Sequence, residues 1–151
     1  MNDSVFIDTN IFVYARTEDD AFKHGKAKQL LGVTLEGKEV TISTQVLSEF
    51  YSGMTKHHRP HGEIRAFLYE IIDSANVVTL SLPTIESCLL LKEKYHYSWW
   101  DSLILASALE SNCVTVYSED MQDGQLLTGS QIDFLEARGD RLAVHEGNVL
   151  H

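Results

Sequence analysis

Val5-Phe6-Ile7-Asp8-Thr9-Asn10-Ile11-Phe12-Val13-Tyr14 decides how this chain is read. A short apolar run stops at Asp-Thr-Asn and a second begins at once, the pattern of a buried strand turning directly into a helix. Asp8 then stands at the strand's carboxyl end. The pattern recurs downstream. Val40-Thr41-Ile42 reads as a second strand, followed by Ser43 or Thr44 as helix N-cap and by Val46, Leu47, Phe50 and Tyr51 at helical spacing. Val77-Val78-Thr79-Leu80 is a third strand and Val114-Thr115-Val116-Tyr117 a fourth. Thr17 to Leu31 reads as an amphipathic helix with its anions at the favoured end, and Gly37 marks a turn. Pro60 opens a helix carrying Ile64, Phe67, Leu68, Ile71 and Ile72. Leu82-Pro83-Thr84 caps another that runs through Tyr95, and Ser98 caps the strongly apolar segment Trp99 to Leu109. Short apolar strands alternating with helices predict an α/β fold, a parallel sheet covered on both faces. In such sheets the site lies beyond the carboxyl ends of the strands, where strand order reverses.

Composition sets limits on this picture. The 151 residues, 44% of them hydrophobic, suffice for one ordinary core, so a single domain over residues 1–151 is expected. Twelve basic against 22 acidic side chains give a net charge of −10, which argues against coating nucleic acid through bulk electrostatics. A nuclease remains compatible, because bound metal and a local basic patch supply the positive field. Cys88 and Cys113 each sit inside an apolar stretch and read as reduced, buried thiols. No apolar run approaches the roughly 18–20 residues of a membrane span, and Met1-Asn2-Asp3-Ser4 lacks a basic secretory head. A soluble cytoplasmic protein without membrane association is expected. Pro60 and Pro83 are the only prolines, and no linker or internal repeat is visible.

Asp8, Glu49, Asp101 and Asp120 each fall where an apolar segment meets a turn or a helix start. Taken singly, each reads as an ordinary cap, helix-surface residue or turn former. Taken together in this strand-helix order, they suggest a convergent cage, and carboxylates brought together repel unless a cation or protons neutralise them. Mg²⁺ or Mn²⁺ suits such hard oxygen donors, leaving open positions for water and substrate phosphate. Asp8, Asp101 and Asp120 would form the cage, with Glu49 holding a second ion or orienting the attacking water. Thr9 and Asn10 can donate to Asp8 or to a scissile phosphate, and Ser118 can do so beside Asp120. Glu119 or Asp123 replaces Asp120 as the fourth acid if the loop turns differently.

Lys56-His57-His58-Arg59-Pro60-His61, with Arg65 close by, is the one compact basic stretch. It is either a solvated loop or a guide for RNA phosphates, with Lys56, Arg59 and Arg65 as the contacts. Lys23, His24, Lys26 and Lys28 read as the wet face of their helix. Of Trp99 and Trp100, one belongs to the core and the other is placed to stack on a base. Phe12, Tyr14, Phe50 and Tyr51 read as core or partner surface rather than a nucleic-acid platform.

Phe-Ile-Asp8-Thr-Asn, Leu-Ser-Glu49-Phe, Trp-Trp-Asp101-Ser-Leu-Ile-Leu-Ala-Ser-Ala and Tyr-Ser-Glu-Asp120-Met-Gln-Asp-Gly together resemble PIN-domain nucleases, especially VapC toxins, over residues 5–126. The Asp-Thr-Asn opening and the Asp101 helix are the specific parts. The resemblance implies a PIN-like three-layer sandwich whose central parallel sheet has four or five strands. It also implies metal-dependent endoribonuclease activity at Asp8, Glu49, Asp101 and Asp120, inhibition by a cognate antitoxin, and a homodimer. Residues 127–151 depart from the pattern, which usually ends in a short edge strand. Arg141-Leu142-Ala143-Val144-His145 can supply such a strand; otherwise the tail is disordered or docks on a partner. Two rival readings stand beside this one. A phosphatase of the haloacid dehalogenase type wants a second Asp where Asn10 stands, and a non-catalytic interaction module would keep the fold without the reaction.

Overall fold

The computed structural model describes residues 4–113 and 115–118, together with the backbone of 143–146. Strand β1 (Ser4–Ile7) leads through Asp8 into α1 (Thr9–Ala15), and α2 (Ala21–Gly37) follows. Next come β2 (Glu39–Ser43), α3 (Thr44–Lys56), α4 (His61–Ser74) and β3 (Asn76–Val78). Helices α5 (Leu82–Tyr95) and α6 (Trp99–Glu110) precede β4 (Thr115–Ser118) and β5 (Ala143–Glu146). Among the described residues five strands, all parallel and in the order β3-β2-β1-β4-β5, form a sheet flanked by helices, as an α/β sandwich requires.

Burial explains the composition of the strands. Val5, Phe6 and Ile7 are shut from solvent in the central strand, which is why that strand reads as a continuous apolar run rather than an alternating one. Helix α6 buries every residue from Ser102 to Leu109 and is apolar all round, as a helix wedged between sheet and α5 must be. Phe12 and Phe50 are core residues, Tyr14 packs at its edge and Tyr51 is exposed.

Several boundaries differ from those the sequence suggests. The second helix starts at Ala21 rather than Thr17, because Asp20 caps it by accepting from the Lys23 N–H at 3.0 Å. Glu18 and Asp19 therefore lie in the preceding loop. That helix is also less amphipathic than expected, with only Ala27 and Thr34 buried. Ser43 occupies the N-cap of α3 without a side-chain cap bond, and its buried Oγ has no partner. Strand β3 ends at Val78, and Ser81 is the cap of α5 through a reciprocal box with Thr84, whose Oγ1 accepts from the Ser81 N–H at 3.1 Å. The late edge strand is present: Ala143 to Glu146 pair with Thr115 to Ser118.

Cys88 and Cys113 are free, buried thiols. Burial pushes Cys88 from 9.0 up to about 11, against a smaller opposing pull from Lys92, and raises Cys113 in the same direction. A thiol raised in the folded state stabilises the fold fully below its unfolded value and loses that contribution as pH climbs through its folded one. Stability should therefore fall between pH 9 and about pH 11, less steeply in Cys88→Ala, when urea midpoints are compared. At pH 8 neither thiol should react with a disulfide reagent until the chain is unfolded.

Candidate functional site

Strand order reverses at β1, since the chain proceeds to β2 and β3 on one side and later to β4 and β5 on the other. Asp8 is the first residue beyond β1 and extends the ladder by one bond, its N–H donating to Tyr117 O at 3.0 Å. The residue is only 3% exposed. Oδ1 accepts from the Thr9 N–H and Oδ2 from Ser118 Oγ, both at 2.7 Å. Two neutral donors from α1 and β4 thus fix the orientation of a buried carboxylate. Ser118, expected as a donor at the site, gives its hydroxyl proton to Asp8.

Helix α3 turns Val46, Phe50 and Met54 into the core, which leaves Gln45 and Glu49 one step round the same face. Glu49 Oε1 accepts from Thr9 Oγ1 at 3.0 Å and from Gln45 Nε2 at 3.3 Å. The same Gln45 amide donates to Trp100 O at 3.3 Å. Both acceptors demand the NH₂ end of the amide, which leaves its buried carbonyl oxygen without a partner. One continuous polar chain therefore runs from Ser118 through Asp8, Thr9, Glu49 and Gln45 to Trp100, tying β4, α1, α3 and α6 together. Asp101 follows Trp100 as the third residue of α6 and is half-buried, its N–H donating to the Ser98 cap at 3.1 Å.

Gln45 is the member of this chain that sequence reasoning missed. Its position four residues before Glu49 on one helix was the available signal, because such pairs face each other.

A cavity of about 310 Å³ opens beside the chain, lined among others by Thr9, Asn10, Glu49, Gly53, Lys56 and His57. Gly53 lets α3 approach α1, since a Cβ there would lie 3.2 Å from Val13 Cγ2. Of the three basic residues expected at RNA, Lys56 lines this cavity. Arg59 pairs with Glu63 at 2.8 Å, and the Arg65 guanidinium lies 4.9 Å from the centre of the Tyr69 ring. Trp99 packs against the core while Trp100 is 58% exposed.

Asp120 and Asp123 lie outside the described residues, as does Glu119. Among the described residues no three acidic, histidine or cysteine side chains gather closely enough to hold a metal ion. Asp8, Glu49 and Asp101 alone do not close the expected cage. Their donor chemistry still fits a hard divalent cation, for all three offer carboxylate oxygens, and Thr9 links two of them, its N–H donating to Asp8 and its hydroxyl to Glu49.

Comparison with known proteins agrees with this fold. The structure resembles VapC20 of Mycobacterium tuberculosis, a sarcin-ricin loop cleaving toxin, at a TM-score of 0.63 and 19% identity, covering 90% of this chain and 95% of that one. It resembles VapBC2 of Rickettsia felis, solved bound to a DNA fragment from its promoter, at 0.63 and 18% identity, covering 95% and 99%. A toxin-antitoxin complex from Klebsiella pneumoniae matches at 0.60 and 24% identity, covering 79% and 88%. No curated protein sequence matches the chain. The family model for the PIN domain matches residues 5–122, and this chain belongs to the PIN domain family.

Proposed function

We propose that this protein is a Mg²⁺- or Mn²⁺-dependent endoribonuclease and the toxin of a toxin-antitoxin pair. The observation that carries the reading is the polar chain from Asp8 through Thr9 and Glu49 to the start of the Asp101 helix, built where strand order reverses. Asp8, Glu49, Asp101 and either Asp120 or Asp123 would hold the ion, which when bound supplies Lewis acidity and a water of lowered pKa. Thr9 and Ser118 keep Asp8 in place, and Thr9 and Gln45 do the same for Glu49. Asn10 and Lys56, both on the cavity wall, offer a donor and a cation to the RNA phosphates, and exposed Trp100 offers a ring on which a base stacks. Hydrolysis by water leaves a 5′-phosphate and a 3′-hydroxyl.

An antitoxin partner is supported by the likeness to the Rickettsia felis and Klebsiella pneumoniae complexes. Exposed Val33 and Leu35 on α2, and Leu82, Leu89 and Leu90 on α5, leave apolar area for that partner and for a second copy of the chain in a homodimer. No helix among the described residues is long and apolar enough to cross a membrane, and we place the protein in the cytoplasm.

A non-catalytic PIN-fold interaction module, which would keep the fold without the reaction, is the second reading. The haloacid dehalogenase reading falls with the family assignment. Purified protein, free of partner, decides between the two that remain when offered a pool of structured cellular RNAs with Mg²⁺, Mn²⁺ or EDTA. Discrete products carrying 5′-phosphates, formed with metal and lost with EDTA, support the nuclease. A 2′,3′-cyclic phosphate end would indicate attack by the RNA itself and overturn the mechanism. Intact RNA under every condition would favour the module.

A further inference from the structure

The cavity beside Glu49 has a second polar wall that the metal chemistry does not use. His57, the residue after α3, lines it together with Lys56, Thr9 and Asn10. Its Nδ1 is engaged by the Asp19 carboxylate, which reaches over from the loop between α1 and α2 across 38 residues of sequence. A carboxylate only accepts, so Nδ1 carries the proton and Nε2 is the ring nitrogen left to meet a ligand. In the neutral ring that nitrogen is an acceptor. Asp19 also offsets any positive charge on the ring, so the pair adds little attraction for phosphate, which in any case has no proton to give. Lys56, immediately before it, is the group on this wall suited to the anion.

Resting on the nuclease reading above, the geometry points to a ribose-recognition subsite: His57 Nε2, oriented by Asp19, accepts a hydrogen bond from a substrate 2′-hydroxyl while Lys56 holds a neighbouring phosphate. The 2′-hydroxyl is the one group by which a protein tells RNA from DNA at a given position. His57 is therefore a specificity residue, and Asp19 is a positioning residue acting through it.

The experiment uses the full chain carrying Asp8→Asn, so that binding is read without cleavage. A labelled oligoribonucleotide is compared by fluorescence anisotropy with copies bearing a single 2′-deoxy or 2′-fluoro sugar at successive positions; fluorine keeps an acceptor but removes the donor. One position should show a preference for the hydroxyl of about 3- to 10-fold, the size of one neutral hydrogen bond. His57→Phe should bring that ratio close to one, and Asp19→Ala should reduce it. Lys56→Ala should weaken all the oligonucleotides alike and flatten the salt dependence without changing the ratio. An unchanged ratio in His57→Phe, or no hydroxyl preference at any position, overturns the subsite. Whether the unsubstituted protein cleaves RNA with Mn²⁺ is scored separately. Loss of cleavage with the ratio intact would sink the nuclease reading and leave the ribose subsite standing.

Discussion

Asp8→Asn will leave the protein folded and reduce metal-dependent RNA cleavage by at least about 100-fold. The side chain keeps its shape, and the amide carbonyl can take the Thr9 N–H that Oδ1 now accepts at 2.7 Å. The amide NH₂ then faces Ser118 Oγ, which turns to accept instead of donating. What disappears is the negative charge, the property a divalent cation needs. Partners that merely orient metal ligands cost roughly 10- to 100-fold when removed, so losing the ligand itself should exceed that range. A parallel signature keeps the result from being mistaken for misfolding. Mn²⁺ raises the melting temperature of a protein that binds it in the folded state, and this rise should vanish in Asp8→Asn while the metal-free melting temperature changes little. A variant that still cleaves at the original rate would remove Asp8 from the site.

How much of this was legible in the sequence depended on whether the determining force was local. Val5-Phe6-Ile7 announced a central strand because burial on both faces leaves no polar positions, and Ser98 announced α6 because its hydroxyl caps Asp101 within one turn. The start of α2 was misplaced because four residues, Thr17 to Asp20, all suit a helix entrance, and only the Asp20 to Lys23 bond selects among them. Serine hydroxyls were the least legible feature. Ser43 sits where a cap belongs and makes no cap bond, whereas Ser118 reaches 110 residues back along the chain to Asp8. Both outcomes are set by how β1, β2 and β4 lie side by side, information that no local pattern contains. The same holds for His57 and Asp19, which looked like parts of a basic loop and an acidic helix start.

Gln45→Leu is the variant that separates the polar chain from the packing around it. Leucine has nearly the same length, favours a helix and is at home in a position only 5% exposed. The substitution removes the bonds to Glu49 Oε1 and Trp100 O, but it also removes a buried carbonyl oxygen that has no partner. An unpaired buried polar group costs about 1–3 kcal/mol, comparable to what the two bonds contribute, so stability should move little. Function should not be spared in the same way. Glu49 keeps only the Thr9 hydroxyl, and α3 loses its side-chain link to the turn that carries Asp101. The two carboxylates are then free to change their spacing, and Mn²⁺ affinity and cleavage should both fall by about 10- to 100-fold. Gln45→Glu tests the sign of the effect, because it sets a second carboxylate where the amide now donates to Glu49 at 3.3 Å. Like charges at that separation repel, so this variant should lose stability at neutral pH and recover part of it when metal is added. If Gln45→Leu binds Mn²⁺ as tightly as the parent, the link between α3 and α6 is a packing detail, and the acids are held by the backbone alone.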